Sequence, residues 1–167
     1  MGNQVIGFLE ESTSVSLSEI SNFKFDDFFN LFPADNVIKQ ESFYRLCGDN
    51  THSSGINLFN YRCTKDGMSP YLVGHDYKES YQKISLAHVS QICELHFSSK
   101  RNLLHEGSFM KNIFWLIDRN GKDCVVLVNR ISGYEGWKAK IIDFHPHQVV
   151  NRNDQLFLED AFKRYRH

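Results

Sequence analysis

Four residues have the types and spacing that nucleophilic chemistry needs. They are Cys47 in "RLCGDN" and Asp143, His145 and His147 in "DFHPHQVV". A thiol attacks as its thiolate, which a neighbouring imidazole can generate, and a carboxylate on that imidazole orients it. Cys47 precedes Gly48, so a turn there would present its sulfur. If the two loops meet, His145 or His147 would be the base and Asp143 the orienting group. That arrangement suits a cysteine–histidine hydrolase, transferase or deamidase.

The same histidines, at i and i+2 around Pro146, face one side of an extended segment, as two metal ligands do. Asp143 would complete such a site, or Cys93 and His96 in "CELH", which stand at i and i+3 on one face of a helix. No CxxC, HExxH or HxxxH spacing is present, so the expectation is no metal. Neither GxxxxGK[ST] nor GxGxxG occurs, so no nucleotide cofactor is expected either. The plainer reading of "DFHPHQVV" is the end of a strand, because Pro146 has no N–H to give to a ladder. Cys47 is equally a small hydrophobe at an element's end.

The elements that must position these residues follow from period and punctuation. Phe25, Phe28, Phe29 and Phe32 fall at i, i+3, i+4 and i+7, which predicts a helix near 23–32, capped by Ser21 or Asn22 and stopped by Pro33. "ESFYRLCG" (41–48) and "INLFNYRC" (56–63) read as strands. "TKDGMSP" with Asp66-Gly67 reads as a turn leading to a strand at 71–74, giving hairpins over 41–74. Tyr77, Tyr81, Ile84, His88, Ile92 and Leu95 predict a helix over 77–96 with Asp76 as its cap. "NIFWLI", "CVVLVNR" and "WKAKIIDF", separated by Asn120-Gly121 and by "SGYEG", predict a meander over 112–144. Phe157, Ala161, Phe162 and Tyr165 predict a closing helix over 153–166. In Glu11–Glu19, Val15 and Leu17 alternate, which fits a short edge strand or a loop, so 1–22 is expected to be less regular. Segregated strands and helices with hairpin links make an α+β fold: an antiparallel sheet packed by helices.

Composition bounds the function. One domain is expected from 167 residues, and 14 phenylalanines can build its core. The net charge is -1, but residues 1–44 hold seven acidic groups and two basic ones. No strongly basic face emerges from the totals, which weighs against nucleic acid as partner. The four cysteines show no paired spacing, and the longest clean apolar runs, Ile113–Ile117 and Cys124–Val128, are too short for a membrane span. A soluble, cytoplasmic protein with reduced thiols is expected. The reading that remains is a non-enzymatic interaction protein (an adaptor, inhibitor or immunity type) that binds and modulates or neutralises another protein. Its expected contact surface is the acidic quarter, through Glu10, Glu11, Glu19, Asp26, Asp27 and Asp35, facing a basic protein. The alternative is the cysteine–histidine enzyme built on Cys47. The sequence carries no signal for oligomeric state.

Overall fold

"NIFWLI" is apolar without alternation, the pattern of a strand covered on both faces. In the computed structural model it is an inner strand of a mixed seven-stranded sheet. The structure describes residues 5–6, 9–48, 50–68, 84–107, 110–131, 136–143 and 149–159. In chain order the elements are β1 (Val5–Ile6), β2 (Leu9–Leu17), β3 (Ile20–Phe23) and α1 (Phe25–Phe29), then a 3-10 helix (Gln40–Arg45), β4 (Thr51–Ser53), β5 (Ile56–Cys63) and α2 (Leu86–Phe97). The last four are β6 (Asn112–Ile117), β7 (Asp123–Ile131), β8 (Gly136–Asp143) and β9 (Gln155–Glu159). The sheet runs β1-β2-β5-β9-β6-β7-β8, and β3 and β4 form a separate antiparallel pair. Within the large sheet β6 and β9 pair in parallel, and the other neighbours are antiparallel. The fold is α+β. No helix among the described residues is long and apolar enough to cross a membrane.

The predicted meander is present. Gly121 takes φ +80° at the β6–β7 turn, a backbone region open to glycine at little cost. Register places Phe114 beside Phe157, whose rings stack at 4.5 Å in the core. The α1 phenylalanines are also core: Phe28 lies 5.4 Å from Phe43, and Phe32 lies 5.5 Å from Phe97 at the end of α2. Burying each such ring contributes about 1.5–3 kcal/mol.

Several expected elements differ. The 41–48 strand is instead a 3-10 turn. Its buried residues, Phe43 and Leu46, are three apart, which matches a three-residue period and not the two-residue period of a strand. The hairpin expected over 41–74 is therefore absent from its first half, and 71–74 lies outside the described residues. The helix near 23–32 is shorter, Phe25–Phe29, with Lys24 at its cap. Ser21 and Asn22 belong to β3 instead.

The helix expected over 77–96 begins at Leu86. Ser85 is extended, and its N–H is accepted by His88 Nδ1 at 3.0 Å, which starts the helix there. Asp76, Tyr77 and Tyr81 lie outside the described residues. The helix over 153–166 is overturned at its start. Leu156, Phe157 and Leu158 are consecutive and all buried, as in a strand covered on both faces, and they fill the slot between β5 and β6. Residues 160–167 lie outside the described residues. Within 1–22, expected to be less regular, Leu9–Leu17 is a nine-residue strand paired along β5. Its register slips between Glu11 and Thr13, where Ser12 is the extra residue of a bulge.

Candidate functional site

Cys47 follows the 3-10 helix and is half-buried. Asp143 ends β8, and its Oδ1 lies 2.6 Å from Arg45 Nη2. Arg45 also donates from Nε and Nη2 to Asp118 Oδ2, at 3.2 and 3.0 Å. The carboxylate expected to orient a histidine is thus held by a guanidinium. His145 and His147 lie outside the described residues.

Cys93 and His96 do share a face of α2, but that face is inside the protein. Burial pushes the Cys93 thiol well above its usual value, and the Cys124 thiol up to about 12. Burial also raises Cys63. Cys63, Cys93 and Cys124 are fully enclosed, so Cys47 is expected to react first with a thiol reagent under native conditions. Timed alkylation with peptide mapping checks this. Labelling of Cys93 or Cys124 at the Cys47 rate would contradict the fold around α2 and β7.

The acidic candidates do not form one surface. Glu10 and Glu11 lie on β2, where Glu10 pairs with Arg62 at 2.5 Å. Glu19, on the β2–β3 turn, meets His52 at 2.7 Å. Asp26 and Asp27 are exposed on α1, and Asp27 also accepts the Lys24 N–H at 3.3 Å. Asp35 is exposed beside Asn36, which bonds to β8 at the far edge of the sheet. Four strands separate β2 from β8.

A different segment gathers the most polar chemistry: the loop at 102–107, in "NLLHEG". Three buried side chains from three elements hold it. From α2, His96 Nδ1 accepts the N–H groups of Leu103 and Leu104, both at 3.1 Å. That assigns the ring proton to Nε2, which faces Glu106 Oε1 at 3.0 Å. From β5, Asn60 Nδ2 donates to Leu103 O at 3.1 Å and to Gln155 Oε1 at 2.8 Å. From β6, Asn112 accepts the His105 N–H at 2.8 Å and donates to the carbonyls of His105 and Val128, at 3.1 and 3.0 Å. A buried polar network that is nearly saturated rigidifies what it holds.

The loop borders two cavities, and Glu106 lines both. One, of about 350 Å³, is polar; Ser12 and Thr13 of β2, Asn60, Gln155 and residues 102–106 line it. The other, of about 320 Å³, is walled by Leu31, Pro33, Phe97 and Trp137, with His96 and Glu106 at its polar side. Phe97 and Trp137 rings lie 5.2 Å apart. Arg130 Nη1 stands 3.7 Å from Glu106 Oε2. His105 Nδ1 accepts the Gly107 N–H at 2.9 Å, which leaves its proton on Nε2.

Residues 102–107 belong to none of the predicted elements, and the sequence offers His96 only as a possible metal ligand. The signal was nonetheless there: Asn60 interrupts one apolar strand, Asn112 opens another, and a buried asparagine needs partners. Among the described residues no group of three histidine, cysteine or acidic side chains is placed to hold a metal ion. No protein-family model, curated protein or solved structure matches this chain.

Proposed function

We propose that the chain acts by binding a basic segment of another protein through the face made by α1 and the 3-10 helix. One observation carries this reading. Tyr44 is 47% exposed, yet its ring stands edge-on to Phe25 at 4.6 Å and to Phe29 at 6.0 Å. An aromatic ring braced from beneath and open above loses little freedom when a partner covers it, which is how contact hot spots are built. Asp26 and Asp27 are exposed on the same short helix, and Glu41 is exposed three residues before Tyr44. Carboxylates around an exposed ring attract lysine and arginine, both by charge and by the ring's electron-rich face. Glu10 and Glu19 support the reading less, because each already faces a cationic or titratable neighbour.

The test compares wild type with the triple variant Asp26→Lys/Asp27→Lys/Tyr44→Ser as immobilised bait for the proteins of its source cells. A basic protein retained by wild type and lost by the variant is then purified and titrated. The association rate is expected to fall steeply between low and physiological salt, and the variant is expected to bind at least about tenfold more weakly. Identical binding by both baits, or binding insensitive to salt, would refute the proposal.

A further inference from the structure

We infer that the polar cavity beside the 102–107 loop is a binding site for a small, neutral, hydroxyl-rich molecule that presents a vicinal diol. The inference is independent of the α1 face and stands or falls without it.

The walls decide the ligand class. Among the described lining residues Glu106 is the one charged side chain, and its Oε2 already faces Arg130 at 3.7 Å, so the walls themselves hold a carboxylate and no lysine or arginine to receive a phosphate or carboxylate ligand. The apolar lining comes from Leu103 and Leu104, whose side chains are turned into the core, so a greasy ligand finds little surface. The remaining groups are mixed donors and acceptors: two hydroxyls, three amides, an imidazole and a carboxylate. Each hydroxyl of a diol both donates and accepts, which matches such a wall.

Two further observations point to a ligand. Asn60 is 4% exposed, and its Oδ1 has no hydrogen-bond partner among the described residues, although its Nδ2 has two. A buried acceptor left unpaired is destabilising. Asn60 lines the cavity, and a small turn of its enclosed amide would bring that oxygen to a ligand's donor. Beside Asn60, on the adjacent strand, is a bulge: Ser12 is the unpaired extra residue of β2, and bulges of this kind re-aim side chains beside functional sites. The 102–107 loop is set in advance by His96, Asn60 and Asn112, so a ligand would not have to order it.

The site should bind at a Kd of about 0.1–1 mM, as small polar ligands in open clefts do. The probes are D-glucose, D-galactose and D-ribose as free sugars, adenosine and uridine as ribose-bearing alternatives, and 2′-deoxyadenosine, which lacks the vicinal diol. Saturation-transfer NMR is read on each with wild type, Ser12→Trp and Glu106→Gln. Ser12 is exposed, so the tryptophan is expected to fill the cavity while leaving the melting temperature unchanged. Transfer to free sugars supports a saccharide ligand, and transfer to adenosine and uridine alone supports a ribose. In both cases Ser12→Trp is expected to abolish transfer, and Glu106→Gln to weaken binding about tenfold. The inference is overturned by silence from every probe, by equal transfer to 2′-deoxyadenosine, or by signals that Ser12→Trp leaves intact.

Discussion

Replacing Asn112 with alanine is expected to lower folding stability by about 3 kcal/mol and to free the 102–107 loop. Asn112 has no exposed surface, and its amide makes three hydrogen bonds to backbone. The substitution strands the His105 N–H and the His105 carbonyl at once, while the Val128 carbonyl keeps its place in the β6–β7 ladder. An abandoned buried group costs about 1–3 kcal/mol, and some relief from water entering beside the cavity keeps the sum toward the lower end. Urea unfolding measures the stability term. Amide exchange measures the loop: Leu103, Leu104 and His105 should exchange faster, while β7 and β8 keep their protection. A loss under about 1 kcal/mol with unchanged exchange would mean that Asn112 does not hold the loop. The outcome bears on function, because a loosened loop should also weaken diol binding in the polar cavity.

Asp118→Ala is expected to cost about 2–3 kcal/mol, and this cost should depend on pH. Asp118 Oδ1 accepts the N–H groups of Asn120 and Lys122 at 2.8 and 2.9 Å, which shapes the β6–β7 turn, while Oδ2 receives Arg45. Burial pushes this carboxyl's pKa up, but the two amides and the Arg45 guanidinium outweigh it and hold the pKa below its usual 3.8. A carboxyl whose pKa is lower in the folded state stabilises fully above its unfolded value, and that contribution is lost as pH falls through the folded value. The difference between wild type and Asp118→Ala should therefore be constant from neutral pH down to about pH 5 and shrink below about pH 4. Urea midpoints at several pH values give the result. A difference that grows on acidification would reverse the sign of this assignment.

What was legible in the sequence was local. The Asn120-Gly121 turn between two apolar runs, and the phenylalanines at helical spacing, fix geometry through residues a few positions apart. The turn appears where it was expected, and the helix appears shortened to Phe25–Phe29. Failure came where the same local pattern allowed two answers. Phe43 and Leu46 suit a three-residue period as well as Phe43, Arg45 and Cys47 suit alternation. The choice fell to the pocket of Phe28 and Phe29 that receives Phe43. Leu156–Leu158 became a strand because β5 and β6 leave a slot between them that only a third strand can hydrogen-bond across.

The candidate site divides in the same way. Composition alone placed excess acid in the first quarter of the chain and supplied aromatic residues there, because charge and side-chain type need no fold. The sequence by itself thus determined the α+β class, the meander and the acidic, aromatic character of α1. Only the tertiary structure decided that Asp143 meets Arg45, that Cys93 and His96 face inward, and that loop 102–107 is clamped. The clamp uses Asn60, 43 residues away from Leu103 in the chain. Contacts over such separations depend on strand order and register, which no periodicity within a segment encodes.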